Sequence, residues 1–526
     1  MSSQVDSLWL FALASKYNQL TITNLFSSFV LLTLTWLAMS LFYWAHQGGP
    51  AWGKYSWTHL CHWAKKPIPG PNGWPILGSI SLKMGLAHQK ITLMAEHYNS
   101  KRLMAFSVGN TRMIVTCNPD VAKEILNSSV FVDRPDQESA YGLMFNRSIG
   151  FAPYGSYWRT LRRIAGTHMF SPKQIKAYEA QRNDIRCQMI KTIWAQNGPF
   201  HAKEVLRWAS LSNMMGSVFG DINIENNELK EMVEEGYDLL GILNLGDHLS
   251  WLSDFDFQNI RFRCSQLVPK VNRFVGRIIE EHRSEPVHLN RDFVDVLLSL
   301  QQKDKLSDSD IIAILWEMIF RGTDSISVLI EWILARLVLH PNIQSKLHQE
   351  LDNVVGRTRG VTESDLPSLV YLTAVIKEVL RLHPPGPLLS WSRLSIEDTT
   401  IDGYHVPAGT TASVNMWAIA RDPNVWANPL EFEPNRFMGS DPNCEFSVLG
   451  SDLRLAPFGS GRRSCPGKVL GLTTVTYWVA SLVHEFEWVT SSGFKVDLSE
   501  ELKLSCEMAQ PLKVEVRPRR GINLNI

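Results

Sequence analysis

From Tyr17 to Gly53 the chain carries no Asp, Glu, Lys or Arg. Inside that window Leu25 to Ala45 is built of Leu, Phe, Val, Trp and Ala, broken only by Ser, Thr, Met and Tyr. As a helix, these 21 residues at about 1.5 Å each reach about 30 Å, the thickness of a bilayer's hydrocarbon core. Trp36, Tyr43 and Trp44 include rings of the kind that settle at a membrane interface. A cleaved signal peptide would have a shorter apolar run with a basic residue just before it, whereas the nearest upstream charge here is Lys16. The window therefore reads as one uncleaved transmembrane anchor at 25–45 behind a short lumenal N-terminus at 1–24. Lys54, Lys65 and Lys66 follow, with no acid until Glu96, which places the larger C-terminal part in the cytosol.

Behind the anchor lies enough chain for a large globule. The 526 residues include 18 Trp and 23 Phe, ample bulk for a core and incompatible with a disordered chain. Fifty-two basic side chains balance 52 acidic ones, without the basic surplus of a nucleic-acid binder. Seven cysteines lie far apart with no paired spacing, so neither a disulfide framework nor a zinc site is indicated, and the compartment is reducing. Pro67-Ile68-Pro69-Gly70-Pro71 reads as a stiff spacer ending a basic, Pro-rich linker at 46–71. No second linker or repeat follows, so 72–526 reads as one large domain. Apolar patterning predicts helices near 157–170, 203–220, 262–283, 309–340, 342–354 and 367–383, the last opened by Pro367 and closed by Pro384-Pro385. Strand-like pieces, such as 113–116 and 410–414, are short and scattered. The fold class is mainly α with small β-sheets (α+β).

The segment Phe458-Gly459-Ser460-Gly461-Arg462-Arg463-Ser464-Cys465-Pro466-Gly467 carries the chemistry. A cysteine must be a thiolate to bind iron, and a helix starting just after it lowers its pKa. The apolar run from Val469 supplies such a helix. Gly461 and Gly467 permit a tight turn and a close approach of backbone to a flat ligand, and Arg463 can pair with a carboxylate. The segment resembles the haem-thiolate loop of the cytochrome P450 superfamily, F-x-x-G-x-R-x-C-x-G. Phe458, Gly461, Arg463, Cys465 and Gly467 meet every specified position, a coincidence on the order of 10⁻⁴ by chance. The resemblance implies the P450 fold, with haem b (iron protoporphyrin IX) between the long central helix and the helix after Cys465, its iron's axial ligand. A thiolate ligand favours O–O cleavage.

Further segments extend the resemblance. Glu378-Val379-Leu380-Arg381 is similar to the family's E-x-x-R helix, and at i, i+3 its charged side chains share a face. Phe432 to Phe437 resembles the loop that brings Arg436 onto that Glu, so Glu378, Arg381 and Arg436 are implied as a buried structural core. Trp158 and Arg162 match the W-x-x-x-R helix, whose two residues contact a propionate, and Arg393 falls where the family places another propionate-binding Arg. Arg162, Arg393 and Arg463 are then three cations for a buried dianion, with Phe458 also against the cofactor. In the long helix, Arg321-Gly322-Thr323-Asp324-Ser325 corresponds to the oxygen-groove motif A/G-G-x-D/E-T. Asp324 would supply protons through water, Ser325 would hydrogen-bond dioxygen, and Gly322 suits a local bulge. Ser325 replaces the usual Thr and Arg321 the usual small residue. Phe320, Arg321, Leu388 and Leu389 are candidate substrate contacts. Arg321 is read as neutralised by Glu317, one turn earlier on the same face, in preference to anchoring a substrate carboxylate.

Ile149 to Pro153, Trp158 to Arg163 and Phe320 to Asp324 look most like the plant branch called family 78, subfamily A, which is associated with organ growth, seed size and hydroxylation of fatty-acid-like molecules. The resemblance implies a monooxygenase in the endoplasmic reticulum membrane, single-pass, with its catalytic domain cytosolic, acting with O₂ on a small lipophilic substrate. No G-x-G-x-x-G after a strand marks a nucleotide fold, so electrons would come from NADPH–cytochrome P450 reductase. Arg462 and Lys468 are candidates for its docking face. The alternative is a haem-thiolate isomerase or dehydratase acting on fatty acid hydroperoxides without reductase. Asp324-Ser325 argues against it.

Overall fold

The computed structural model describes residues 22–45 and 67–519, apart from 197, 221–225, 285–291, 301–303, 390, 440–445, 451, 492 and 494. Most of the N-terminal expectations, 1–21 and 46–66 with Lys54, Lys65 and Lys66, lie outside the described residues.

The charge-free window forms one helix, α1 (Ile22–Ala45). Its stretch Asn24–Trp44, 21 residues of mean hydropathy 1.9, is long and apolar enough to cross a bilayer. Phe26, Phe29, Leu31 and Leu32 are each at least 66% exposed, as a lipid-facing helix requires. The Thr33 and Thr35 hydroxyls donate to the carbonyls of Phe29 and Leu31, so neither stays unsatisfied in hydrocarbon.

The catalytic region is mainly helical. Its principal helices here are α2 (Ser156–His168), α3 (Ala202–Phe219), α4 (Asn226–Gly241), α5 (Ile260–Ser284), α6 (Asp308–Leu339), α7 (Val370–Leu382) and α8 (Lys468–Glu485). The largest sheet orders β1 (Met104–Val108), β2 (Thr111–Thr116), β4 (Thr411–Val414) and β3 (Arg393–Leu394). β2 and β4 run parallel, with Met113 opposite Thr411, and the other pairs are antiparallel. A hairpin of β5 (Glu500–Leu502) and β6 (Cys506–Met508) turns at Leu504 and Ser505.

α6 is the axis of the fold. The Ser307 hydroxyl accepts from the Asp310 amide at its N-terminus, Asp308 and Asp310 suit the positive end of the dipole, and Pro341 opens the next helix. Apolar residues bury it on nearly every side, from Ile314 and Trp316 to Trp332 and Leu337, which marks a helix enclosed by others. Gly322 is the point of closest approach to α3: a Cβ there would stand 2.4 Å from the Met214 sulfur.

Two boundaries differ from the sequence reading. Pro67–Pro71 is not a free spacer: Ile68 is buried beneath the main sheet and the Ala105 amide donates to the Pro69 carbonyl at 2.9 Å. An apolar residue between two prolines was enough to anchor the strap. Pro367 does not open the following helix but lies within a 3-10 turn, Glu363–Ser368. α7 starts at Val370 because the Glu350 carboxylate caps the amides of Tyr371 and Leu372 at 2.6 and 2.9 Å.

Where α5 ends, His282 is held between the Ile278 carbonyl (2.8 Å) and Asp292 (2.9 Å). Burial opposes its charge, but the Asp292 and Ile278 hydrogen bonds and the Asp292 charge outweigh it and raise the imidazole to about 9. A folded pKa above the unfolded value of about 6.5 gives stability that is complete below pH 6.5 and lost as pH rises through 9. Thermal unfolding between pH 6 and 10 should therefore show a decline that His282→Gln flattens.

Candidate active site

Cys465 opens onto an internal cavity of about 290 Å³, whose walls also include Asp324, Ser325, Leu388, Leu389 and Phe458. Its loop is closed by the Cys465 amide, which donates to the Phe458 carbonyl at 3.0 Å. Gly461 has φ +69°, and a Cβ there would stand 2.1 Å from the Leu126 carbonyl oxygen, so no other residue fits. Gly467 needs no such freedom: its φ is −89° and it caps the N-terminus of α8. Burial pushes the Cys465 thiol up in pKa, against the pull of Arg321, the Gly467 amide, Arg162 and Lys468. The helix terminus thus favours the thiolate that burial opposes.

One flank of the cavity collects arginines. Arg134, Arg162, Arg321, Arg393 and Arg463 all line it, with Glu317 and Asp324 the acids among the lining residues. Burial, then Arg463 and Arg162, bring Arg393 down to about 9. Arg463 falls to about 10, and Arg134 is held well below the usual guanidinium range by burial and by Arg393, Arg463 and Arg321. They donate mostly to carbonyls: Ser460 for Arg393, Ser464 for Arg162, and Trp391 and Ser392 for Arg134. Cations that depress one another in a buried wall are complementary to a dianion, and the two propionates of haem meet that demand.

Within this flank Arg463 gives hydrogen bonds to Val132, Ile149 and Ala152 (2.9, 3.3 and 2.7 Å), with Asp133 at 3.6 Å, so much of its donor capacity ties the Cys loop to residues 132–152. Trp158 spends its indole N–H on the Ile149 carbonyl at 3.0 Å, and its ring carries Arg463 at 4.4 Å and Arg162 at 5.6 Å. It is a platform for the arginines, because its single donor is already used. Arg134 escaped the sequence reading, since an Asp-Arg pair after an apolar run is indistinguishable there from surface charge.

Arg321 donates to Glu317 at 3.3 Å and stacks over Trp391 at 5.4 Å. The Gly150 amide also donates to Glu317, at 2.7 Å. Phe320 does not reach the cavity: fully buried, it packs on Tyr237, Phe145 and Trp316, because it points to the side of α6 away from Arg321 and Gly322.

Away from the cavity, Arg381 forks onto Glu378 with two 2.8 Å bonds, both side chains fully buried. Arg436 donates to the same carboxylate at 3.1 Å, and so does the Glu433 amide, at 2.9 Å. Remaining Arg381 donors hold the carbonyls of Ala420, Pro429 and Glu431. Arg462 and Lys468 lie near the Cys loop's outer side, donating to the carbonyls of Ser128 and Leu449.

A mainly helical fold that passes one long helix beside a cysteine loop and an arginine wall is built to hold a flat dianionic macrocycle through sulfur. The chain belongs to the cytochrome P450 family, whose model matches residues 68–516. It is 64% identical to cytochrome P450 78A9 of Arabidopsis thaliana over all of both chains, and 61% identical to cytochrome P450 78A3 of Glycine max over 99% of this chain and 100% of the relative. It is also 34% identical to flavonoid 3',5'-hydroxylase CYP75B138 of Crocosmia x crocosmiiflora, covering 86% of this chain and 91% of the relative. A zebra fish cytochrome P450 solved with progesterone shares the fold, with TM-score 0.70 and 24% identity over 82% of this chain and 99% of that one. The protein is thus a P450 monooxygenase with haem b as cofactor.

Proposed function

We propose that Cys465 is the axial ligand of the haem, that Arg162, Arg393, Arg463 and Arg134 neutralise its propionates, and that the protein hydroxylates a lipophilic, fatty-acid-like substrate in plant organ growth control. The observation that carries this reading is the single cavity onto which Cys465, the arginine wall and Asp324-Ser325 all open. Haem held by a thiolate supplies dioxygen activation and insertion of one oxygen atom into a C–H bond. The chain's own residues orient the substrate, exclude water and move protons.

Asp324 holds the proton-handling position. Burial raises its pKa, which keeps a transferable proton available nearer neutral pH, while Ser505 and Arg207 pull the other way. Ser325, one residue on, also lines the cavity. Leu388 and Leu389 supply apolar wall, and Arg321, engaged by Glu317 and Trp391, fixes the helix face instead of meeting a substrate carboxylate. The hydroxylase name of the 34% relative supports hydroxylation as the reaction. Helix α1, with the basic residues after it, supports a single-pass anchor in the endoplasmic reticulum membrane, residues 1–24 lumenal and the domain cytosolic. NADPH–cytochrome P450 reductase would dock beside Arg462 and Lys468.

Asp324→Asn should lower product formed per NADPH and cut turnover by about 10²-fold with haem content unchanged. The measurement is reconstitution with reductase and a fatty acid, beside a reductase-free assay with its hydroperoxide. Turnover of hydroperoxide alone, indifferent to Asp324→Asn, would replace the monooxygenase reading with an isomerase.

A further inference from the structure

A second cavity, of about 660 Å³, borders α6 at Thr323 and Asp324. Lys203, Glu204 and Arg207 of α3, Lys230 of α4 and the chain around Lys495 and Lys513 give it charged walls. Among the described residues, two line both this outer cavity and the one onto which Cys465 opens: Asp324 and Tyr237. They form the partition between this outer space and the Cys465 cavity.

Tyr237 reaches that partition from α4, and it does so at an unusual point. Its hydroxyl donates to the Phe320 carbonyl and accepts from the Asp324 amide, the latter at 3.2 Å. Residues 320 and 324 are i and i+4, the two groups that bond directly to each other in a regular turn of helix. A side-chain hydroxyl placed between these two groups competes with that bond, and such insertion is a recognised cause of local helix distortion. The approach is built in: Gly236 lets α4 close on α6, since a Cβ there would stand 2.9 Å from the Phe320 ring, and the Tyr237 ring stacks on Phe320 at 4.4 Å. The Asp324 carboxylate faces Arg207 at 3.6 Å, while Glu507 takes Lys203, Lys503 and Arg207 at 2.9, 2.8 and 3.3 Å.

We propose that the Tyr237 hydroxyl is a positioning group: set between the Phe320 carbonyl and the Asp324 amide, it holds this turn of α6 apart and so keeps Asp324 in the partition, facing both cavities. Protons then enter from the charged outer cavity, and substrate never has to share their route. Tyr237 acts through Asp324 and touches no reacting atom. The inference rests on the role given to Asp324 above.

Tyr237→Phe keeps the ring on Phe320 and removes only the hydroxyl, whereas Tyr237→Leu removes both. In the haem-loaded full-length protein, the amide of Asp324 should exchange about tenfold more slowly with Phe, because the turn closes into a direct 320–324 bond. In reductase-driven turnover of hexadecanoic acid as probe, Phe and Leu should each lower product per NADPH about tenfold. The Phe variant should keep its haem content and its spectral affinity for the probe. Unchanged or faster exchange at Asp324 in Tyr237→Phe, or coupling lost only in Tyr237→Leu, would show a packing residue and overturn the proposal. Asp324→Asn separates the two levels. If it lowers coupling while Tyr237→Phe is silent, only the positioning role falls; if it is silent too, the reading of Asp324 falls with it.

Discussion

Cys465→Ser should abolish monooxygenase turnover completely while leaving a folded protein. The loop is closed without the sulfur, by the backbone bond from residue 465 to Phe458 and by three bonds from Arg463 to Val132, Ile149 and Ala152. The ionic core around Glu378 lies on α7 and the 434–437 turn and does not use the sulfur. A serine hydroxyl is a poor anion at neutral pH, so the iron loses the ligand that favours O–O cleavage. The reduced carbon-monoxide spectrum should lose its thiolate signature, with circular dichroism and thermal unfolding close to wild type. Survival of that signature would move the ligand assignment to another residue.

Much of this site was legible in the sequence because the relevant groups are tied to short local patterns. Glu378 and Arg381 are one helical turn apart, and the structure places them in a bidentate pair. The Cys loop is a contiguous decapeptide whose glycine at 461 is fixed by contact with Leu126. Glu317 and Arg321, at i and i+4, meet on the expected face. What sequence could not reveal depends on distant segments converging. Arg134 joins the arginine wall from a loop, and Tyr237 reaches α6 only because Gly236 admits a second helix. Phe320 was assigned to the cavity by adjacency to Arg321, yet successive helical residues diverge by about 100° and it turns into the core. Trp158 gives its indole N–H to Ile149 and carries Arg162 and Arg463 over its ring, contacts that no short local pattern reveals. The Pro-rich strap at 67–71 was read from composition, whereas burial of Ile68 decided its place.

Glu378→Ala should be the most damaging substitution outside the Cys loop, although the residue lies away from the cavity. Glu378 is fully buried and its two oxygens satisfy Arg381 twice, Arg436 once and the Glu433 amide once. Arg381 is also fully buried, so the alanine would leave a guanidinium in the core with neutral carbonyls of Ala420, Pro429 and Glu431 and no counter-charge. Removing one partner of a buried pair costs about 3–5 kcal/mol. That is comparable with the whole folding stability of many domains, about 5–15 kcal/mol. The same carboxylate joins α7 to the 431–437 segment that runs toward the Cys loop, so its loss should loosen haem retention before helical content falls. Haem per protein after purification is therefore the sensitive readout, expected to drop several-fold in Glu378→Ala. Glu378→Asp should recover part of it, since the charge is kept and only the reach is shortened. A Glu378→Ala protein with full haem and wild-type unfolding would show that the network adds specificity without stability.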